Sequence, residues 1–331
     1  MVMACASQNL GFDDYAEAIQ GARLLYLKTG PTTAPWKLAW HLINRVTLQF
    51  GADGSARIIH GVTSSDDFVF IIQSSKLPNC VFLDGQLMQW HEMAVFPPSS
   101  QFTFVCDVPV EWISLSLPEE LANALQIENG LDASLLTRKK IIKLSQTGAA
   151  QFANKSKKVR ASIHKNSRLK TEVDTEATEA VLIQILNNAI ADRIGEKYLP
   201  DRYTESSEET VFKALAYVQS KMSDQIYVEE LVDVTGVEYR TLLRAFQRYL
   251  KVGPKRYLKL RQLNLARRAL RGHHLSSTGV TNILAEHGVT EFGRFASEYK
   301  YLFDEAPSDT FQKDKNVRET ARKRTNFVTG D

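Results

Sequence analysis

The chain has 331 residues, 44% of them hydrophobic, and a formal net charge of only +3. That length suits two domains, the apolar fraction is ample for folded cores, and bulk basicity is excluded as an explanation for any local cluster of cations. No run of 18 apolar residues occurs, which argues against a membrane-spanning helix, and the three cysteines, Cys5, Cys80 and Cys106, lack metal or redox spacing.

The start, MVMACASQNLGFDDYAEAI, has no basic stretch leading into a long apolar core, so it does not read as a signal peptide. Together with the odd cysteine count this predicts a cytoplasmic protein. Eight short segments then read as strands: Arg45–Phe50, Ala56–His60, Phe68–Gln73, Cys80–Leu83, Leu87–Trp90, Ala94–Phe96, Phe102–Cys106 and Trp112–Leu117. They are rich in Val, Ile and aromatics, and turn signals such as Asp84-Gly85 and Pro97-Pro98 separate them. This spacing predicts a β-rich sandwich or small barrel over residues 1–128.

All four tryptophans, Trp36, Trp40, Trp90 and Trp112, lie in this half. Two readings fit them: aromatic walls of a small-molecule pocket, or filling of an ordinary core. The pocket candidates are Trp36, Trp40, His41, Arg45, Trp90 and His91. His41, His60 and His91-Glu92 include no H-x-H pair, so neither a metal nor another cofactor is expected, and no enzymatic activity.

Residues 129–194 form the joint. Arg138 to Lys170 holds eleven Lys and Arg and no acid, with apolar residues interspersed. Such a run is usually a solvated face or a flexible segment, partly helical here, and another reading lays it along DNA. Thr175 to Ile194 carries an apolar helical stripe that includes Leu182, Ile185, Leu186, Ala189 and Ile190, which fits either a contact between two subunits or a helix packed on its own barrel. Residues 195–208 read as a polar linker, and Glu209 to Lys221 as a helix with Phe212, Leu215 and Val218 inward.

Two helix-turn-helix patterns follow. In Val228 to Leu250, Leu231, Val232 and Val234 form one short apolar face, Gly236 supplies the turn, and Leu242, Leu243, Phe246, Tyr249 and Leu250 recur at helical spacing. Tyr239, Arg240, Arg244 and Arg248 fall on the opposite face. In Val280 to Phe303, Gly288 is the turn, Val289 the corner, and Phe292, Phe295, Ala296, Tyr299 and Leu302 point inward. Between them Gly253 to Gly272 reads as one helix of about 17 residues, roughly 25 Å long. A helix of that length holds two reading helices about one DNA turn, roughly 34 Å, apart. From Tyr239 to Arg271 there are eleven Lys and Arg and no acid, a surface that binds a polyanion by displacing condensed counterions.

The order Gly253, Pro254, Tyr257, Leu258, Arg261, Leu265, Ala266, Arg267, Leu270, then Ile283, Gly288, Phe295, Tyr299, Phe303, Pro307 and Ser308 resembles the DNA-binding domain of the AraC/XylS family of bacterial transcription regulators. The GRFASEYKYLF ending is similar to a subgroup that includes ethanolamine-type regulators. Val232, Leu284, Val289 and Asp304 depart from the usual family residues, and Gly293 and Ser297 are short where base-reading side chains often sit.

The resemblance implies an α+β protein of two domains. Its N-terminal part is a cupin-like sensory barrel with dimerisation helices. Its C-terminal part, residues 209–313, is an all-α double helix-turn-helix, followed by a frayed tail over 314–331. It implies double-stranded DNA and RNA polymerase as partners, activation as the commoner outcome, an unidentified small-molecule effector, and a homodimer formed through Leu182, Ile185, Leu186, Ala189 and Ile190. Base-contact candidates are Tyr239, Arg240, Arg244, Thr290, Glu291, Gly293 and Ser297; phosphate-contact candidates are Thr241, Arg248, Lys255, Lys259, Arg294 and Lys300. Two other classes stay open: a DNA-tethered enzyme, and a protein whose barrel holds another protein.

Overall fold

A computed structural model describes residues 2–77, 80–129, 138–165, 172–199, 206–221, 225–272 and 279–313. The chain divides into two compact units, one of Met1–Tyr26 with Thr33–Arg202 and one of Leu27–Thr32 with Tyr203–Asp331. The expected tail, 314–331, and part of the expected linker, 200–205, lie outside the described residues.

In chain order the first unit and its border contain β1 (Val2–Leu10), α1 (Phe12–Ala18), β2 (Ala22–Lys28), β3 (Trp36–Ile43), β4 (Val46–Ala52), β5 (Arg57–Thr63) and β6 (Asp67–Gln73). Then come β7 (Val81–Leu83), β8 (Gln86–Met88), β9 (Glu92–Phe96), β10 (Gln101–Cys106), β11 (Glu111–Pro118) and α2 (Glu119–Asn129). The last are β12 (Lys140–Leu144), α3 (Gln146–Lys165), α4 (Glu172–Ala191) and β13 (Arg193–Tyr198). One sheet has the order β1-β3-β4-β11-β6-β9-β12-β13 and the other β2-β5-β10-β7-β8.

These are two open sheets, not the closed cupin-like barrel that the family resemblance implied. Among the described residues no ladder joins the sheets: the larger ends at β1 and β13, the smaller at β2 and β8. Strand alternation gives the larger sheet two apolar faces. Phe68, Phe70, Ile72, Ile113, Leu115 and Leu117 face one core, built with the helices. Their neighbours Val69, Ile71 and Trp112 belong to the other core, against the smaller sheet. The result is three layers, helix on sheet on sheet.

That arrangement corrects the dimerisation set. Leu182, Ile185, Leu186, Ala189 and Ile190 are buried in the same core as Leu115, Leu144 and Phe152 of their own chain. The larger sheet needs a cover for its outer apolar face, and α4 supplies it, so these five side chains are not available to a second subunit in this conformation.

The basic run is exposed at Arg138, Lys143, Lys155, Lys157 and Lys158, as read, and is corrected at two positions. Lys139 and Lys140 are buried rather than solvated. Lys139 pairs with Asp84 and donates to the Gln101 carbonyl at 2.8 Å, while Lys140 reaches Glu196 at 3.4 Å. Strand β13 extends to Tyr198, so the sheet takes residues that composition gave to the linker.

The second unit contains α5 (Ser206–Ser220), α6 (Val228–Thr235), α7 (Tyr239–Leu250), α8 (Pro254–Gly272), α9 (Val280–Glu286) and α10 (Phe292–Phe303). The turn glycines adopt the left-handed conformation expected of them, Gly236 at φ +68° and Gly288 at φ +71°. A side chain at Gly288 would also bring a Cβ within 2.6 Å of Gln225 Oε1.

Candidate nucleic-acid interface and ligand cavity

The first helix-turn-helix is α6 and α7. Its core is made by Leu231, Leu242, Ala245, Phe246, Tyr249 and Leu250, all buried. Val234, expected inward, is 43% exposed, because the eight-residue α6 is too short to bury more than one stripe. Glu230 accepts the Tyr227 N–H at 2.7 Å and the Tyr217 hydroxyl at 2.5 Å, which fixes the start of α6. On the opposite face of α7, Tyr239, Arg240, Thr241, Arg244 and Arg248 are all exposed. Among the described residues neither Arg240 nor Arg244 has a hydrogen-bond or ion-pair partner.

Helix α8 is the frame. Tyr257, Leu260, Leu263, Ala266 and Leu270 are buried, while Leu258, Leu265 and Ala269 are half-buried. Arg261 is buried as well and donates to the carbonyls of Val218 and Lys221 at the end of α5. Arg267 pairs with Glu305 at 2.8 Å and lies over the Phe303 ring at 4.6 Å. Burial acts to raise Glu305, but hydrogen bonds from Lys313, Thr310 and Arg267 outweigh it and hold the carboxyl at about 2. Two arginines of the basic run are therefore structural.

The second helix-turn-helix, α9 and α10, buries Ile283, Leu284, Val289, Phe295, Tyr299 and Leu302. Phe292, expected inward, is 38% exposed at the first turn of α10. Thr290, Glu291, Gly293, Arg294, Ser297 and Lys300 are exposed. Their chemistry differs from that of α7. Arg294 lies 3.3 Å from Glu298 and 3.7 Å from Glu291, and the Ser297 hydroxyl donates back to the Gly293 carbonyl at 3.0 Å. Arg240 and Arg244 are thus exposed and without a partner among the described residues on α7, while Arg294 is partly neutralised on α10.

A groove of about 1280 Å³ runs between the two motifs, lined by Tyr239, Lys255, Arg256, Lys259, Thr290, Glu291 and Arg294 among others. Lys259 lies 5.0 Å from the centre of the Phe295 ring, and burial lowers its pKa. Lys255 is exposed beside it at the start of α8.

The N-terminal unit holds a second feature, a cavity of about 90 Å³ between the two sheets. Its walls include Leu24, Ile59, Ile71, Phe102, Phe104 and Trp112. Trp112 lies flat over Gly51, where a Cβ would come within 2.1 Å of the indole, and its Nε1 donates to the Tyr15 hydroxyl at 3.0 Å. Arg57 enters from β5 and pairs with Asp53, whose other oxygen accepts the Tyr26 hydroxyl at 2.6 Å. Burial pushes the Asp53 carboxyl up and Arg57 opposes that; burial pushes the guanidinium down, but Asp53 outweighs it and the net direction is upward.

Of the pocket candidates, none lines this cavity among the described residues. Trp36 packs against Phe12, Tyr15 and Tyr26, and His41 is fully buried on β3. Trp40 packs at the border of the inter-sheet core. Arg45 is 51% exposed and pairs with Glu179, while Trp90 stacks edge-on with His91 under Lys76. The tryptophan that does line it is Trp112. Arg57 was missed, although an Arg directly before the apolar pair Ile58-Ile59 in a strand, RIIHGVT, is the kind of signal that marks a buried cation. Among the described residues no three His, Cys, Asp or Glu side chains are placed to hold a metal ion, and no helix is long and apolar enough to cross a membrane.

Residues 231–313 match the family model described as a helix-turn-helix domain. Over 103 residues the chain is 27% identical to a XylDLEGF operon transcriptional activator of Pseudomonas putida, a match covering 31% of this chain and 32% of that protein. Over 96 residues it is 34% identical to a probable thc operon regulatory protein of Rhodococcus erythropolis, covering 29% of each. Among solved structures it is similar to a probable AraC family transcriptional regulator from Rhodopseudomonas palustris, at 29% identity and a TM-score of 0.30, covering 32% of this chain and 97% of that one. The chain spans about a third of the length of the curated relatives it matches. Its C-terminal unit carries a helix-turn-helix domain.

Proposed function

We propose that this chain, with its AraC/XylS-type helix-turn-helix domain, is a sequence-specific DNA-binding transcription regulator, acting as an activator in the cytoplasm under the control of a small molecule bound by its N-terminal unit. The observation that carries this reading is the exposed, unpartnered pair Arg240 and Arg244 on a helix whose other face is a packed core. Arg is the commonest bidentate partner of guanine in the major groove, and α7 presents two of them one turn apart. Thr241, Arg248, Lys255, Lys259 and Lys300 then supply phosphate contacts that set position rather than sequence.

The reading is asymmetric. Tyr239, Arg240 and Arg244 carry base recognition, while Thr290, Glu291, Gly293 and Ser297 contribute less, since Arg294 is already paired and Gly293 has no side chain. The GRFASEYKYLF ending supports placing the second motif with ethanolamine-type regulators. RNA polymerase and a second copy of the chain are the proposed protein partners. Subunit pairing then uses exposed surface such as Val181 of α4, not the five buried residues of that helix.

Chromatin immunoprecipitation with sequencing, followed by a gel shift of the strongest site at two salt concentrations, tests the proposal. The expected result is a few sharp peaks upstream of genes, with paired half-sites and binding that weakens steeply with salt. Diffuse binding with no sequence preference overturns it.

A further inference from the structure

We propose that Glu298 is a brake on sequence-independent DNA binding: its carboxylate competes with phosphate for Arg256 and Arg294, and so leaves discrimination to the α7 motif. This rests on the reading of the C-terminal unit as a DNA-binding module and adds a specificity-determining residue to it.

Glu298 lies on α10 and lines the groove between the two motifs, as do Arg256, Lys259, Glu291 and Arg294. One carboxylate oxygen, Oε1, accepts from Arg294 Nε at 3.3 Å, and the other, Oε2, lies 3.6 Å from Arg256 Nη1. A single acid thus ties together two cations from different helices, α10 and α8. Lys259 belongs to the same cluster, one turn along α8 from Arg256. Burial lowers the pKa of that ammonium, and Glu298 is the strongest charge acting against burial there.

Exposure gives the cluster a direction. The Glu298 side chain is 27% exposed, against 45% for Arg256 and 74% for Arg294. The guanidiniums stand nearer the open side of the groove, where a phosphate arrives, and the carboxylate lies deeper. Partly exposed ion pairs are weak enough to be exchanged. The exchange still has a cost, because it leaves Glu298 facing the phosphates without its cations. Arg240 and Arg244 have no hydrogen-bond or ion-pair partner among the described residues, so the first motif engages DNA without breaking such a pair.

Discrimination follows from that difference. Binding to arbitrary sequence is almost wholly electrostatic, so a carboxylate held beside the phosphates weakens it directly. At the specific site α7 fixes the register, and bidentate arginine–phosphate contacts made in that register offset the cost of the exchange. A charge that penalises the wrong partner more than the right one raises specificity.

The test is a salt series of gel shifts with the full-length chain on two duplexes of equal length, the strongest chromatin site and a random sequence. Glu298→Gln keeps the shape and removes the charge, while Glu298→Asp keeps the charge. A triple variant adds Arg256→Gln and Arg294→Gln to Glu298→Gln, with the arginine pair of substitutions alone as its reference. Glu298→Gln should bind the random duplex about three- to tenfold more tightly and steepen its salt slope by about 1. The gain on the specific site should be smaller. Glu298→Asp should keep the wild-type slope, and the triple variant should show no gain over its reference. Unchanged or weaker binding of the random duplex by Glu298→Gln overturns the brake. An equal gain on both duplexes overturns the role in discrimination, and a gain that persists in the triple variant overturns competition for these two arginines. A wild type that prefers no sequence sinks the regulator reading, yet the random-duplex comparison still decides the brake. Preference for the chromatin site with no response to Glu298→Gln sinks only this inference.

Discussion

Arg261 and Gln262 are consecutive residues of α8, yet they hold opposite halves of the helix-turn-helix unit. The Arg261 guanidinium donates to Val218 O at 3.1 Å and to Lys221 O, closing the C-terminal end of α5. The Gln262 amide donates to His287 O and Gly288 O, both at 3.0 Å, closing the second turn. Neighbours on a helix are about 100° apart around its axis, so one step along α8 is enough to address both motifs. The cation also meets carbonyls at a helix C-terminus, where the helix dipole favours it.

Arg261→Ala should therefore destabilise the C-terminal unit by about 2–4 kcal/mol, because it strands buried carbonyls and opens a gap. Arg261→Lys should recover only part, since an ammonium lacks the planar fork. Gln262→Ala should cost about 1 kcal/mol. Urea unfolding of the three variants measures the order; equal stability of Arg261→Ala and wild type would show that water replaces the guanidinium.

The two reading helices should differ under mutation. Arg244→Ala is expected to cost about tenfold or more in affinity for the specific site and to relax base preference at one position. Arg294→Ala should cost less than about threefold, since Glu291 and Glu298 already engage that guanidinium. Lys259→Met keeps an unbranched side chain but removes the ammonium that lies over Phe295, so it should weaken all DNA sequences alike and lower the salt slope by about 1. Gel shifts across a salt series distinguish these; a larger loss for Arg294→Ala than for Arg244→Ala would reverse the proposed division of labour.

Lys139 and Asp84 form a buried pair in which Asp84 Oδ1 also accepts the Thr103 N–H at 2.8 Å. Lys139→Met should destabilise the N-terminal unit by about 3–5 kcal/mol, because it leaves a carboxylate buried without its cation. Asp84 has φ +49°, which Asn tolerates, so Asp84→Asn is the matching partner. The double variant should be more stable than Lys139→Met alone, a double-mutant cycle that additive losses would contradict.

His60 gives the N-terminal unit an acid-sensitive component. Burial lowers its pKa from 6.5 to about 4, and its Nδ1 lies 3.0 Å from Thr103 Oγ1. The unfolded chain takes up this proton before the folded one does. Stability from this group is thus complete above about 6.5, declines as pH falls towards about 4, and is flat below, for at most about 3 kcal/mol. Thermal melts of wild type and His60→Gln across pH 4–7 measure the difference; parallel curves would remove His60 as the cause.

Asp304 ends α10 at φ +59°, and its N–H bonds to Lys300 O at 2.9 Å. A left-handed cap suits glycine better than any side chain, so Asp304→Gly should stabilise the unit by about 0.5 kcal/mol. A lower melting temperature would mean that the carboxylate contributes more than the backbone strain costs.

Much of the C-terminal unit was legible because amphipathic helices write their buried face at spacings of three and four. Leu242, Phe246 and Tyr249, and Phe295, Tyr299 and Leu302, are buried as that spacing predicts. Phe292 and Val234 were not, since periodicity does not reveal where a short helix runs out of neighbours. The first unit was half legible. All eight expected strands formed, but β1, β2, β3, β12 and β13 were missed. Strand β3, WKLAWHLI, lacks clean alternation, and β12, KIIKL, looked like part of a charge run. The cavity was not legible, because Arg57 and Trp112 meet only once two separate sheets face each other.

The larger sheet also separates two kinds of sequence change. On β6 and β11 the positions Phe70, Ile72, Ile113 and Leu115 sustain the helical layer, while Ile71, Gln73, Trp112 and Ser114 border the cavity. Substitutions at the second set reshape the cavity walls and leave the packing beneath the helices intact. The interior of the cavity can thus diverge among descendants of this chain one alternate residue at a time, without each step having to solve the folding problem again.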